Sequence, residues 1–431
     1  MWMFRVIGMA LLAILTSFYF FPFEFTFLPG INTKMAMAGL GLVLLLVQLA
    51  QRQDSIINRD VFHLSLIAGG VSLIGFFAVT WNDTYDYTYA TYLVSMWVWL
   101  SGAYVVIQTL KKFHGSVSVE LVCNYLIVVC VAQCLIAFVM VQYPPLKTFV
   151  DSFLGSTGFM GKMEERMYGI GASLDVAGSR FSVILVMIAF LLMKKVPTDK
   201  EKYTGLYLVA FFVIVVIGNM ISRTTTVGVI IALIYLFYAS RMYTFHLDLN
   251  MRYLLRHFVG VLLLAILLIA YGYHANQDFQ ENLRFGFEGF FSLAEKGEWE
   301  VNSNERLKGM YVFPDNLKTW IIGDGYFNNP YGVDPYYTGP KWGGFYKGTD
   351  VGYLRFIFYF GTLGLIAFFC FFCKVAQLCM KRFAEFKSMF ALFLLVNFVI
   401  WFKVSTDVFL VFALFLCIAK EEKTEELLQT S

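Results

Sequence analysis

Charge is what this sequence is short of. Only 15% of its 431 residues are Asp, Glu, Lys or Arg, where a soluble domain carries roughly 25%. With 59% hydrophobic and 18% aromatic residues and a mean hydropathy of +0.67, it reads as a polytopic membrane protein. Further absences narrow the chemistry. There is no Gly-x-x-x-x-Gly-Lys-Ser/Thr loop and no His-Glu-x-x-His pair, so the common phosphate-cradle and zinc-hydrolase signatures are missing. No paired acidic motif is present that would hold a metal–nucleotide-sugar complex, and no metal or other cofactor is called for. The five His residues are scattered, and His274 alone falls in an outer loop. The seven Cys residues lie in or beside apolar runs, which argues against a disulfide framework. Cys370-Phe-Phe-Cys373 has no second ligand pair and is read as packing. A net charge of +3 without a basic stripe excludes a nucleic-acid partner.

What is present is a series of apolar runs. A span needs about 20 apolar residues. On that rule, spans fall near 6–21, 35–50, 61–81, 91–110, 118–143, 176–193, 203–221, 225–240, 254–273, 350–372, 388–402 and 407–419. The expected fold is therefore all-α, a polytopic integral membrane bundle of about twelve helices. Arg5 and the run Val6 to Phe21 are followed by Pro22-Phe-Glu-Phe25, with no small-residue cleavage site, so the first run is read as an uncleaved span. Lys and Arg divide unequally between the connections. One set carries Arg52, Arg59, Lys111, Lys112, Lys194, Lys195, Lys200, Lys202, Arg241, Arg252, Arg256, Lys374, Lys381, Arg382, Lys387, Lys420 and Lys423. The short connections of the other set hold Lys34, Arg223 and Lys403. The basic set is expected to be cytoplasmic, with both termini inside.

That orientation puts two long loops outside. One runs from Pro144 to Asp175, within a first block of helices that extends over 1–273. The other spans 274–349 and is followed by a helical block and tail over 350–431. The second loop is too long to be a mere connection, and its Tyr, Trp and Phe content argues against disorder. A helix is expected near Asn304–Tyr311, stopped before Pro314. The polar chemistry of the chain concentrates between Asn302 and Gly364.

Several residues there and in the turns could carry chemistry. Ser222-Arg223-Thr-Thr-Thr226 is a turn between two spans, where Ser222 can cap the following helix. A guanidinium added to a helix N-terminus suits an anion such as phosphate; the alternative is an interfacial Arg snorkelling to headgroups. Arg180 and Arg355 lie within spans and are expected to face a bundle interior or water-filled cavity, or to pair with a carboxylate, which for Arg180 is Asp175 or one on a neighbouring helix. Arg166, Arg284 and Arg306 lie in loops, where solvation is the plain alternative. Asp350 precedes a long apolar helix. It is either a helix cap or a general base whose pKa is raised at the edge of a low-dielectric cavity. Asp324, Tyr326 and Trp342 belong to an aromatic and glycine-rich stretch that suits a sugar ring, and suits a membrane interface as well.

Taken in order, these stretches resemble a known family. Asn304-Glu-Arg306-Leu-Lys-Gly, Ile321-Ile-Gly-Asp324-Gly-Tyr326, and Thr349-Asp350-Val-Gly-Tyr-Leu with Gly361-x-x-Gly364 resemble the O-antigen polymerase and ligase superfamily. Arg166-Met-Tyr-Gly-Ile-Gly and Ser222-Arg223-Thr-Thr look like its two earlier arginine stretches, so the likeness covers roughly residues 160 to 370. The resemblance implies a GT-C-like fold in a bacterial inner membrane and a substrate consisting of an oligosaccharide on undecaprenyl diphosphate. A chain-length regulator protein and membrane lipid are further candidate partners. The family's ligases carry His near the position of Asp350, and the Asp leans toward a polymerase. On that footing Arg223 and Arg306 clamp the diphosphate, assisted by Arg166 or Arg180, with Asp350 as the base and Glu305 or Asp324 in reserve. Arg355 is a further candidate for substrate binding. Two rivals stand beside this reading: a ligase acting on lipid A–core, and a transporter that uses the same arginines for binding. Against the transporter are the long outer loop and the lack of Gly/Pro-broken spans in matching halves.

Overall fold

A computed structural model describes residues 2–51, 59–155, 166–195, 203–244, 249–331 and 344–418. The described chain is mostly helical, with no strand beyond three isolated bridges, as its apolar segments must be where backbone N–H and C=O groups have no water to bond. In chain order the helices are α1 (Trp2–Phe20), α2 (Thr33–Ala50), α3 (Arg59–Trp81), α4 (Tyr92–His114), α5 (Val119–Gln142) and α6 (Pro144–Phe153). Next come α7 (Leu174–Lys195), α8 (Thr204–Ile221), α9 (Thr225–Ala239), α10 (Leu249–Ala275), α11 (Gln277–Gly286) and α12 (Glu288–Lys296). The last are α13 (Asn302–Gly309), α14 (Leu317–Ile321), α15 (Gly352–Arg382), α16 (Lys387–Ile400) and α17 (Phe409–Leu416).

Nine of the described helices, α1 to α5, α7, α8, α10 and α15, are long and apolar enough to cross a membrane. The multi-pass expectation therefore holds, but three of the expected spans are shorter than anticipated. The run at 225–240 forms the 15-residue α9, and that at 388–402 the 14-residue α16. The run at 407–419 yields only the 8-residue α17, about 12 Å long against a hydrocarbon core of about 30 Å. Every residue of α17 is buried. Its hydrophobicity reflects packing against α4 and α15, not contact with lipid, and sequence composition does not separate the two.

Helix α7 is the centre of the bundle, buried along most of its length against α8, α9 and α16. Helix α10 is its opposite: Leu263, Leu264, Leu267 and Leu268 are exposed, and it packs chiefly on α8 and α11.

The segment that organises one end of the bundle is a break in α15. Phe360 and Gly361 leave helical geometry, with Gly361 at φ +68. The carbonyls one turn before the break lose their helical partners. They are taken instead by Asp324 N–H, 2.6 Å from Phe358 O, and Gly325 N–H, 3.1 Å from Tyr359 O. The approach is close: a Cβ on Gly361 would lie 2.1 Å from Ile321 O, and one on Gly323 2.6 Å from Tyr359 O. The same strand of chain is bonded on its other side. Asn82 Nδ2 donates to Gly323 O (3.1 Å), Thr84 Oγ1 donates to Gly325 O (2.9 Å), and the amides of Phe327 and Asn328 donate to Asp86 Oδ2 (2.9 and 3.0 Å). Residues 323–328 are thus held between α15 and the loop after α3.

Gly361→Ala should cost on the order of 2 kcal/mol or more, since both the positive φ and the 321 carbonyl oppose a side chain. Gly39→Ala, with nothing within 4 Å of the new Cβ, should cost nothing. Equal melting temperatures for the two variants in detergent would remove the break from its organising role.

Candidate functional site

The loop-bearing end of the bundle gathers charges that lie far apart in sequence. Asp175 opens α7. Its Oδ1 accepts from Ser222 Oγ (3.2 Å), from Lys403 Nζ (2.9 Å) and from Thr224 Oγ1. Lys403 Nζ also donates to Thr224 Oγ1, at 2.7 Å. The turn that carries Lys403 is brought in by α15. Tyr353 N–H donates to Trp401 O (3.2 Å), and Gly352 leaves no room for a Cβ, which would lie 2.6 Å from Val404 O.

Asp350 sits at this junction. Its Oδ1 is 3.6 Å from Arg355 Nη1. Burial pushes its pKa up from 3.8 to about 7, against the opposing pull of the Arg355 guanidinium, with Asp175 adding to the rise and Lys403 resisting it. The alternative of a helix cap does not hold. Helix α15 begins at Gly352, and its cap position is Val351, which makes no side-chain cap bond. Ser222 is not the cap residue of α9, which starts at Thr225 after Thr224 without a side-chain cap bond; its hydroxyl donates to Asp175 and accepts from Thr224 N–H at 3.3 Å, one residue before the helix.

Arg355 is more a tie than an open ligand. Its Nη1 donates to Ser405 Oγ (2.8 Å), and its Nη2 to Phe327 O (3.1 Å) and Asn328 Oδ1 (3.2 Å), with the guanidinium 3.6 Å from the Phe327 ring centre. It pins the 323–328 segment over the start of α15.

Arg223 and Arg166 meet across one ring. Their guanidinium carbons lie 4.3 and 5.1 Å from the centre of Phe285. Arg223 is ion-paired to Glu288 and donates to Ser303 Oγ at 3.3 Å. Burial draws its pKa below the usual guanidinium value while Glu288 acts the other way. Both arginines line a cavity of about 540 Å³ with Phe285, Glu288, Phe291 and Glu295. Helix α13 runs between this cavity and the start of α15. Ser303 contacts Arg223, and Leu307 and Met310 pack against Val351, Leu354 and Phe358. Arg306 is exposed on α13, three residues from Ser303 and so on its face of the helix.

Other expected residues lie elsewhere or serve other ends. No ion pair joins Arg180 to Asp175, whose partner is Lys403. Arg180 is buried against Phe20 and Phe21, and its Nε and Nη1 have no partner among the described residues. Asp324 accepts from Thr319 Oγ1 (2.7 Å), Lys318 Nζ (3.1 Å) and Tyr346 OH (3.2 Å), which makes it a clasp for α14. Tyr326 leans on Tyr346 in a small apolar cluster. Trp342 lies outside the described residues. Arg284 is held bidentately by Glu295. Among the described residues no three His, Cys, Asp or Glu side chains are grouped to hold a metal.

Sequence reasoning passed over Lys403, Glu288, Phe285 and Asp86. Lys403 did leave a trace, as one of few bases on the sparsely charged side. The other three are an ordinary acid, an ordinary aromatic and a loop Asp until the fold places them.

Compared with protein-family models, curated proteins and solved structures, the chain matches none.

The raised pKa of Asp350 fixes a sign. A carboxyl whose folded pKa lies above its unfolded value holds its proton more tightly when folded, so its ionised form works against the fold at pH 8. Asp350→Asn should therefore melt at or above the parent at pH 8, by at most about 4 kcal/mol in stability. The advantage should shrink as the pH falls from about 7 toward the unfolded 3.8. A variant that melts well below the parent at pH 8 would show that the carboxylate is stabilising and its pKa low.

Proposed function

We propose that this chain polymerises oligosaccharide repeat units carried on undecaprenyl diphosphate, by inverting glycosyl transfer at the extracytoplasmic face of a bacterial inner membrane. The observation that carries the reading is Asp350: a half-buried carboxylate pushed up to about 7, at the junction of the Ser222–Thr224 turn, α7 and α15. A general base works best with a pKa near the operating pH. Asp350 takes the proton of the acceptor hydroxyl, and the oxygen attacks the anomeric carbon. The bond from that carbon to the diphosphate breaks, and the charge leaves on the diphosphate oxygens. Arg223, Arg306 and Arg166 meet that charge as planar donors. For Arg223 this requires exchanging Glu288 for the diphosphate, and the two anions compete for one guanidinium.

The motif resemblance supports the same reading and carries with it a GT-C-like fold, and the Lys and Arg asymmetry of the connections puts both termini in the cytoplasm. No cofactor enters the scheme.

Purified protein, given undecaprenyl-diphosphate-linked repeat units, should produce a ladder of lengthening chains on a gel. Asp350→Asn should lower the rate by about 10²–10⁴-fold, and Arg223→Lys by about 10²-fold or more. The parent kcat/KM should fall about tenfold per pH unit below about 7. Product only on lipid A–core, one chain per acceptor, would make the chain a ligase. Folded protein with no product on either acceptor would favour a transporter. Full activity in Asp350→Asn would move the base elsewhere.

A further inference from the structure

Arg166 lines two cavities. The larger holds Arg223 and Phe285; a second, of about 290 Å³, lies on its other side between the α5–α6 corner and α11. Both are of ligand size by themselves. Arg166 is the wall they have in common, so the two lie side by side along a line from Arg223 toward α6. The wall on α11 follows from its helical period. Phe279, Leu283 and Gly286 are buried toward α8, which leaves Asp278, Glu281 and Asn282, spaced three and four apart, to line the second cavity. The opposite wall is Lys147 and Tyr168. The Tyr168 hydroxyl donates to both oxygens of Asp151, at 2.8 and 2.9 Å, which fixes the ring, and the Lys147 ammonium stands 5.5 Å from its centre.

The lining selects among ligands. Lys147 and Arg166 face Asp278 and Glu281, so the charges cancel. A phosphate headgroup or a polyanion would gain as much repulsion as attraction here, and although Met140, Val141 and Met167 add apolar surface, an acyl chain would leave Lys147, Arg166, Asp278 and Glu281 unsolvated. Alternating donors and acceptors beside a fixed ring match a chain of hydroxyl groups. The geometry points to a glycan-binding groove from Arg223 past Arg166 to Lys147 and Asn282, holding sugars distal to the diphosphate of the lipid-linked chain. This rests on the transfer reaction proposed above and adds to it a binding surface remote from the reacting bond. The consequence is chain retention: the enzyme holds the growing glycan while successive units are added.

The test uses the full chain in detergent, with end-labelled oligosaccharides cut by mild acid from the surface polysaccharide of the strain that carries it. Asn282→Trp fills the groove from α11, and Lys147→Glu unbalances the opposite wall. Fluorescence anisotropy should show the parent binding the labelled oligosaccharide and each variant binding it at least tenfold more weakly, with unchanged melting temperature. In the gel assay the variants should make shorter ladders at an unchanged rate of first transfer. A parent that does not bind the oligosaccharides, or two folded variants that bind and polymerise like the parent, would overturn the groove. Parent binding that both variants weaken, in protein that makes no polymer at all, would sustain the groove while removing the transferase reading.

Discussion

Two backbone carbonyls decide the shape of the loop-bearing end. Where α15 breaks at Phe360 and Gly361, Phe358 O and Tyr359 O have no partners in their own helix, and in an apolar surround each unpaired group costs several kcal/mol. Asp324 and Gly325 supply the amides. That bond pair draws the distant 323–328 segment onto the bundle. Asn82, Thr84 and Asp86 then close over its other face, so a long loop acquires the rigidity of a third layer. The two glycine-bearing stretches singled out from the sequence, Gly323-Asp-Gly325 and Gly361-x-x-Gly364, are two halves of one contact.

From that anchor the charges follow in a connected series. Arg355 reaches from α15 to the anchored Phe327 and Asn328 and keeps Asp350 within 3.6 Å. Gly352 lets the 401–404 turn close on α15, which delivers Lys403 to Asp175 and Thr224. The result is an arrangement in which one carboxylate, Asp175, takes three donors on its Oδ1 and another, Asp350, is only partly compensated. Two acids in one region with different environments are how a protein keeps one ionised and makes the other available for proton transfer.

The arginines separate by the same logic. Arg355 spends its donors on the scaffold, and Arg180 is enclosed by aromatic rings. Arg166 and Arg223 remain at a cavity, spaced by Phe285, with Arg306 exposed on the helix that touches Arg223. An anion bound there would compete with Glu288 for the Arg223 guanidinium, a contest that would favour the more highly charged ligand.

The sequence alone determined the helical class and the placement of the apolar runs, because hydropathy is a local property and the backbone in lipid has no alternative to the helix. It also marked Asp350 and Arg223, whose local settings, before a long apolar helix and in a short turn, are visible in a few residues. It left three runs as full spans that are shorter helices, since burial in protein and burial in lipid have the same composition. It offered Asp175 as one of several possible partners for Arg180, where the fold pairs Asp175 with Lys403, 228 residues away. Asp324 looked like chemistry and is a clasp; Glu288 and Phe285 looked like nothing and line the cavity. Which side chains meet depends on how helices cross and where a helix breaks. Those are set by the close approach of glycines and the satisfaction of freed carbonyls across hundreds of residues, and only the tertiary structure decided them.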